Sequence, residues 1–344
     1  MMVIKIVKAI GCSLLFISTL ACGKKGGDEA NNTPPTNLSL TATVSTDKSG
    51  HVTFTATATN AISYDFDFGN GVFQLAPSGI VTYRYTASGM YTVNVTAKSA
   101  GGQTISKSIQ VTVTVEQSVI WADEFDTAGA PNSAKWGYDL GAGGWGNNEL
   151  QYYTNRTDNA VISNGTLKII AKAENYNGSA YTSARLLSKD KFSFKYGKIE
   201  ARAKLPAGVG TWPAIWMLGN NITTAGWPAC GEIDIMEHVG KELNKIFGTV
   251  HYIGHSGSGG VGNTVTISNA TTEFHIYTVE WSATSIRFFV DNQLFHTVNN
   301  SSSLPFNQNF FIILNVALGG NFGGPIDPAF SSAAMEIDYI RVYQ

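Results

Sequence analysis

The sequence predicts an all-β protein in which a small β-sandwich precedes a much larger one. Between residues 38 and 115 apolar and polar residues alternate with a period of two, and a new strand pattern begins about every ten residues. From residue 119 to residue 344, tryptophans, glycine-rich loops and strand patterns continue without a long helical period. A stretch of that length and texture fits one large sandwich or jelly roll. Its last segment, Met335–Tyr343, alternates cleanly and should form the final strand.

The N-terminal residues have the layout of a bacterial signal peptide. Lys5 and Lys8 precede an apolar run that is shorter than the roughly 20 apolar residues needed to span a bilayer. The run ends in Thr-Leu-Ala-Cys-Gly, which resembles a lipobox with Thr19 at the usual leucine position and Cys22 as the lipidated residue. We therefore predict that residues 1–21 are a lipoprotein signal peptide and that Cys22 anchors the exported protein in the outer membrane or at the cell surface. An ordinary cleaved signal, giving a secreted protein, is the alternative.

The next two segments differ sharply in composition. Residues 22–36 are polar and rich in glycine and proline, so we predict a flexible tether. Residues 37–116 should form the smaller sandwich. On the segments Tyr64–Gly71 and Tyr85–Val93 they resemble a PKD domain, an immunoglobulin-like fold, with a turn that departs from the family pattern at two positions. The resemblance implies a spacer or a weak polysaccharide-binding module.

The overall composition limits the kinds of partner. The 23 basic and 25 acidic side chains nearly balance, which argues against nucleic acid. Seven Trp and fourteen Tyr residues suit a neutral sugar polymer, whose rings stack on aromatic side chains. Cys230 would be the only cysteine of the mature chain left without lipid, and we expect a buried apolar role for it. We expect the protein to be a monomer.

Carboxylates are concentrated in one segment of the large domain, Glu232–Glu237. Residues two apart in a strand share a face, so Glu232 and Asp234 point the same way. Glu237 is five residues from Glu232 and joins that face only if a β-bulge near Ile235 and Met236 accommodates one additional residue. At about 3.3 Å per residue the two glutamate Cα atoms would lie on the order of 13 Å apart. Long side chains leaning inward could then approach the roughly 5 to 5.5 Å separation of retaining glycosidases.

Residue types alone leave three interpretations of this acidic strand open. They are a catalytic site, a cation site such as one for calcium, and an exposed acidic edge without function. Several tryptophans lie on glycine-rich segments near the strand in sequence, in Gly210–Gly219, Trp227–Gly231 and Gly143–Tyr153. These neighbours favour a sugar-binding cleft.

The large domain resembles glycoside hydrolase family 16, and within it the laminarinase branch of endo-β-1,3-glucanases. The matching segments are Glu232–Glu237 with the pattern E-x-D-x-x-E, Trp145–Gln151, Tyr196–Arg202, Phe311–Gly320 and Asp338–Val342. The resemblance runs from about Ile120 to the end of the sequence, so we predict a catalytic domain over residues 119–344 with the fold of a concanavalin-like jelly roll. Lichenase-type relatives carry E-x-D-x-E instead, without the additional residue that Met236 supplies here.

The resemblance also implies a role for each acidic residue in a retaining double displacement. Glu232 would be the nucleophile, and Glu237 would be the acid/base, which requires a raised pKa. Asp234 would orient Glu232 and help to keep Glu237 protonated. His251 would contact Asp234 or the substrate and support catalysis. No cofactor is needed for this chemistry.

Further positions match residues that line glucose subsites: Trp145, Asn147, Arg185, Trp212, Trp216 and Trp227. We expect Trp212, Trp227 and Arg185 to contact sugar first, and Trp216 to face the core. The same resemblance implies a structural calcium ion held by Glu124, the carbonyl group of Gly165 and Asp338, with local hydrogen bonding as the alternative. Two further functions stay open, a mixed-linkage β-1,3/1,4-glucanase and a β-glucan-binding protein without turnover. Agarases and carrageenases share the fold, but this chain has no cluster of basic residues for a sulfated polymer.

Overall fold

The computed structural model describes residues 33–344, which are almost entirely strands and turns, so the all-β prediction is confirmed. The predicted signal peptide, Cys22 and most of the predicted tether lie outside the described residues. The helices that are described, α1 (Ile222–Ala225) and α2 (Gly320–Gly323), have four residues each. No helix in the described range is long and apolar enough to cross a membrane.

The strands follow one another closely along the chain. The first seven are β1 Thr36–Val44, β2 His51–Thr59, β3 Ser63–Asp67, β4 Phe73–Leu75, β5 Ile80–Arg84, β6 Gly89–Lys98 and β7 Thr104–Val113. The next nine are β8 Val119–Asp123, β9 Gly137–Asp139, β10 Gln151–Tyr153, β11 Ala160–Ser163, β12 Thr166–Tyr176, β13 Ser179–Ser183, β14 Arg185–Leu187, β15 Gly197–Lys204 and β16 Thr211–Gly219. The last eight are β17 Glu232–Glu237, β18 Lys245–His251, β19 Val261–Thr266, β20 His275–Trp281, β21 Ser285–Val290, β22 Gln293–Asn299, β23 Phe310–Leu318 and β24 Ser332–Tyr343.

The chain divides into two compact units, and the first contains most of the smaller sandwich. It comprises the described residues up to Thr43 together with Thr53–Tyr83 and Tyr91–Val111. Its strands belong to a three-stranded sheet, β1-β2-β5, and a four-stranded sheet, β4-β3-β6-β7. Alternate residues of β2 and β3 are buried, as a period-two pattern requires. Phe54 and Phe66, one from each sheet, pack with ring centroids 6.3 Å apart in the core.

The second unit contains the large sandwich. A ten-stranded sheet includes the path β10-β13-β12-β24-β15-β20-β21-β22, and a seven-stranded sheet has the order β19-β18-β17-β16-β23-β14-β9. Fully buried side chains from both sheets, such as Leu314 on β23 and Ile337 on β24, form one core. The predicted final strand is observed as β24, which pairs with both β12 and β15 inside its sheet.

The predicted β-bulge is present in β17. Asp234 pairs with Thr249 of β18 and Glu237 pairs with Phe247, so two residues of β17 oppose the single residue Gly248. A register shift at the same place interrupts the pairing of β17 with β16. The two bulge residues, Ile235 and Met236, are both buried in the core. The bulge therefore returns Glu237 to the strand face that carries Glu232 and Asp234.

Gly248, opposite the bulge, leaves space for aromatic side chains. A Cβ atom added there would lie 2.8 Å from ring carbons of both Phe288 and Phe295. We expect Gly248→Ala to lower the free energy of unfolding by about 1 to 3 kcal/mol, because the core is already filled at this point. Urea denaturation measures the change. In the control Gly259→Ala the added Cβ atom meets nothing within 4 Å, so stability should stay within about 0.5 kcal/mol. Equal stabilities for the two variants would contradict this account of the packing.

Candidate active site

A cleft of about 1190 Å³ lies over the face of the seven-stranded sheet that points away from the core. The structure brings all ten predicted catalytic and substrate-binding residues into its lining: Trp145, Asn147, Arg185, Trp212, Trp216, Trp227, Glu232, Asp234, Glu237 and His251. They come from segments that are far apart in sequence. Because β17 is flanked by β16 and β18, the acidic strand lies in the floor of the cleft.

Besides Asp234 on its own strand, the carboxylate of Glu232 has Trp227 and His251 as neighbours in the cleft. Trp227 donates a hydrogen bond from its indole Nε1 to Oε2 over 2.7 Å. His251 Nε2 lies 3.9 Å from Oε1. Half of the Trp227 side chain is exposed, so the indole covers Glu232 while presenting a ring to the solvent-filled cleft.

Asp234 is almost completely buried, with only 3% of its surface exposed. Its Oδ2 atom lies 3.2 Å from Nε2 of His251. Strand pairing determines the position of His251, because His251 of β18 lies opposite Glu232 of β17. The predicted contact between His251 and Asp234 is therefore present.

Glu237 occupies the other end of the acidic strand. The indole Nε1 of Trp212 donates a hydrogen bond to its Oε1 over 2.9 Å. Trp212 is itself supported by Phe322, whose ring lies edge-on at a centroid distance of 5.5 Å, and Phe322 packs in the same manner on Phe247 at 4.9 Å. Glu232 and Glu237 thus each receive one indole N–H, from Trp227 and Trp212 respectively.

Burial dominates the electrostatics of the three carboxyl groups. It raises the pKa of Glu232 to about 8, with a further contribution from the charge of Asp234. It raises the pKa of Glu237 to about 7, and the hydrogen bond from Trp212 partly opposes that change. The pKa of Asp234 is also well above its usual value, because of burial and the charge of Glu237. The cluster of three carboxyl groups therefore retains protons near neutral pH, as general acid catalysis requires.

Arg185 and two tryptophans form the wall of the cleft farthest along the sheet from His251. The guanidinium group lies 5.0 Å from the ring of Trp145 and 4.8 Å from the ring of Trp216. Its Nε atom is 3.0 Å from a carboxylate oxygen of Asp139 on the neighbouring strand. A cation held between two indoles fixes both rings.

The expectation that Trp216 faces the core is wrong. Trp212 and Trp216 are four residues apart on β16, an even spacing that places them on one strand face, and both line the cleft. Asn315 of β23 accepts a hydrogen bond from Nε1 of Trp216 over 2.8 Å.

Sequence reasoning missed several residues of the cleft. Asn315, Asn321, Phe322, Phe247 and Glu149 all contribute to its lining. Asn315 is the one polar residue of β23 and is itself buried, and a single polar side chain in an otherwise apolar strand was a usable signal. Phe322 carried none, because only the pairing of distant strands brings it beside Trp212.

The three predicted calcium ligands lie close together along the backbone, but the carboxylates of Glu124 and Asp338 are each paired with an arginine. The register places Asp123 opposite Ile340 and Leu167 opposite Ile337, so Glu124 and Gly165 flank Asp338 along β24. Both carboxylate oxygens of Glu124 accept hydrogen bonds from Arg341, at 2.9 and 2.8 Å. Arg202 donates to Asp338 over 2.6 Å. This arrangement fits the alternative of local hydrogen bonding, and the calcium ion stays a prediction.

The acidic strand also offers a possible set of metal-binding atoms. Oxygen and nitrogen atoms of Glu232, Asp234 and His251 lie within 4.8 Å of one another. Oδ2 of Asp234 and Nε2 of His251 lie 3.2 Å apart, so two of the three groups are already in direct contact. Two protonatable glutamates in a tryptophan-lined cleft instead define the site of a glycoside hydrolase.

The chain belongs to glycoside hydrolase family 16. Its residues 147–341 match the family described as Glycosyl hydrolases family 16, and residues 37–115 match the PKD domain. The chain is 46% identical to a β-glucanase of Rhodothermus marinus, in an alignment that covers 66% of this chain and 85% of that protein. A glucan endo-1,3-β-glucosidase of Cryptopygus antarcticus is 39% identical over 64% of this chain and 90% of its own length. The solved structure of the Rhodothermus marinus laminarinase superposes with a TM-score of 0.64 at 45% identity, covering 67% of this chain and 98% of the other.

The raised pKa of Glu232 predicts a dependence of stability on pH. Between about pH 4.5 and 8 the unfolded chain releases a proton that the folded protein keeps, so the free energy of unfolding falls as pH rises through this range. Glutamine cannot ionise, so Glu232→Gln should be more stable than the unsubstituted protein by about 4 kcal/mol at pH 8 and nearly equal to it at pH 4. Urea denaturation at both pH values measures this. The exposed Glu273→Gln serves as control, and a Glu232→Gln difference that does not change with pH would rule out this linkage.

Proposed function

We propose that this protein hydrolyses β-1,3-glucan chains at internal positions with retention of the anomeric configuration. The observation that carries the proposal is the bulged strand β17, which presents Glu232, Asp234 and Glu237 on one face at the floor of a cleft lined with indoles. Wide clefts of this kind admit a polymer, whereas a closed pocket would admit only a chain end.

In the first half of the reaction, Glu232 attacks the anomeric carbon and Glu237 donates its proton to the glycosidic oxygen. The bond from the anomeric carbon to that oxygen breaks, and a glycosyl ester of Glu232 forms while the leaving sugar departs as an alcohol. The indole N–H of Trp227 supports the charge on Glu232 before attack. Asp234 lies beside Glu232 on the same face of β17, with Oδ2 3.2 Å from Nε2 of His251, and would orient the nucleophile.

In the second half, Glu237 acts as a general base. It removes a proton from a water molecule, which attacks the anomeric carbon and releases Glu232 as a carboxylate. Two inversions at one carbon give the β-anomer as first product. The pKa of Glu237 near 7 allows both the donation and the removal of a proton at neutral pH.

The walls of the cleft favour a neutral glucan. Indole rings at positions 145, 212, 216 and 227 offer stacking surfaces for the apolar faces of sugar rings. Arg185 is occupied by Asp139 and two indoles and does not offer a free cation to a sulfate group. The similar β-glucanase of Rhodothermus marinus and glucan endo-1,3-β-glucosidase of Cryptopygus antarcticus are, by their names, enzymes that act on this class of polymer.

The assignment of the two glutamate roles rests on the motif, because the pKa values alone would leave the proton on Glu232. Two contacts favour ionisation of Glu232, the hydrogen bond from Trp227 and the nearby His251. A sugar ring in the cleft would bring a glycosidic oxygen to Glu237 as the acceptor of its proton. The roles can be separated by chemical rescue.

Azide distinguishes a deleted nucleophile from a deleted acid/base. With an aryl β-glucoside oligomer that has an activated leaving group, Glu232→Gly plus azide should yield the α-glycosyl azide, because azide attacks from the face that the nucleophile occupied. Glu237→Gly plus azide should yield the β-glycosyl azide, because the glycosyl ester still forms. Without azide both variants should lose at least about a thousandfold in kcat on laminarin. NMR of the products decides the configuration.

The same experiment contains its control and its contrary outcome. The unsubstituted protein should release β-configured reducing ends from laminarin and give no glycosyl azide. Reversed azide products for the two variants would exchange the roles of Glu232 and Glu237. First products with the α-configuration would overturn the retaining mechanism.

Two further proposals concern the surroundings of the enzyme. We propose that Cys22 carries a lipid that holds the exported protein at a membrane, which mass spectrometry of the mature protein expressed in a bacterial host tests directly.

We also propose that calcium adds stability at Glu124, Gly165 and Asp338 by displacing the arginine pairs. Addition of calcium should then raise the melting temperature of the unsubstituted protein, and Asp338→Asn should abolish that increase. An unchanged melting temperature of the unsubstituted protein would contradict calcium binding at this site.

A further inference from the structure

Glu149 is a buried carboxylate at the edge of the cleft, separate from the acidic strand, and only 8% of its surface is exposed. Three side chains donate hydrogen bonds to it. Asn147 donates to Oε1 over 3.2 Å, while Gln151 and Tyr153 donate to Oε2 over 2.7 and 3.0 Å. A buried carboxylate with three donors is firmly held and holds those donors in turn.

A directed chain of hydrogen bonds connects Glu149 with Trp216. The hydroxyl group of Tyr153 has one proton, which it donates to Glu149, so its oxygen accepts from the amide nitrogen of Asn315 over 3.1 Å. The amide oxygen of Asn315 therefore faces the indole of Trp216, whose N–H it accepts over 2.8 Å. Every bond in the chain points towards the carboxylate, and such chains strengthen cooperatively.

The residues at the two ends of this network face the space that substrate would occupy. Asn147 and Trp216 both line the cleft, and Trp216 supports the guanidinium group of Arg185. Gln151, which also donates to Glu149, accepts the backbone N–H of Leu318 over 2.8 Å at the end of β23. Glu149 thereby joins the loop that carries Asn147 to the strands beneath Trp216.

We propose that Glu149 is a positioning residue, which fixes Asn147 directly and Trp216 through Tyr153 and Asn315, and so sets glucan binding on the Arg185 side of the cleft. This inference rests on the proposed glucan hydrolysis. Glu149 does not reach the acidic strand through these bonds, so it acts on substrate binding and leaves the chemical step to β17.

The kinetic test uses Glu149→Gln, which keeps the shape of the side chain but places an NH₂ group against one of three donors. We expect KM for laminarihexaose to rise about tenfold, the equivalent of one lost charged hydrogen bond, while kcat changes less than about twofold. The positions at which laminarihexaose is cut should also shift, because binding weakens on one side of the cleavage point only. Chromatography of the first products measures that shift.

A matched control separates positioning from simple stability. Glu174 is another carboxylate held by a threonine and an arginine, Thr182 and Arg156, and it does not line the cleft. Glu174→Gln should leave KM and the cleavage positions unchanged even where the melting temperature falls. Loss of stability in Glu149→Gln with unchanged KM and cleavage positions would overturn the proposal.

A second variant keeps the test decisive if Glu149→Gln does not fold. Tyr153→Phe removes only the hydroxyl group that connects Glu149 with Asn315, and should reproduce the part of the KM increase that acts through Trp216. The double variant should cost less than the product of the two single effects, because both interrupt one chain. Unchanged KM in a folded Tyr153→Phe would overturn the connection to Trp216. Absence of laminarin hydrolysis by the unsubstituted protein would instead refute the proposed function.

Discussion

The additional residue in β17 is the constraint on which the active site depends. In a regular strand Glu237 would point into the core beside Ile233 and Ile235, where an ionisable group could not be tolerated. The bulge gives both Ile235 and Met236 to the core and returns the next residue to the cleft. Gly248 makes this possible from the opposite strand, because its missing side chain lets the aromatic core close beneath the bulge.

The bulge also determines which neighbours the two glutamates have. Glu232 lies opposite His251 at one end of the strand, whereas Glu237 lies opposite Ala214 and Phe247 at the other. The indole that reaches each carboxylate therefore comes from a different segment, a loop residue for Glu232 and a strand residue for Glu237. Two carboxyl groups of the same type thus receive different surroundings, and this is the physical basis for giving them different tasks.

The sequence was sufficient to predict those features of the fold and the site that depend only on the two-residue period of a β-strand. The shared face of Glu232 and Asp234, the need for a bulge before Glu237, and the terminal strand all follow from counting residues along a strand. The expectation for Trp216 was wrong because this rule was not applied there: its even distance from Trp212 places the two indoles on one strand face. Phe322 and the hydrogen-bond chain from Glu149 depend on pairing between strands that are far apart in sequence, and no local pattern encodes such pairing.

Concentrating carboxyl groups at the centre of a sheet lowers stability, and the fold offsets this on the opposite face. The side chains of Ile233, Ile235 and Met236 are fully or almost fully buried, and each contributes about 1.5 to 3 kcal/mol of hydrophobic stabilisation. The same six residues therefore carry both the destabilising groups and much of what compensates for them. A strand at the sheet edge would have a neighbour on one side only, whereas β17 receives Trp212 from β16 and His251 from β18. The interior place of β17 between β16 and β18 therefore surrounds its carboxyl groups with side chains from both neighbouring strands.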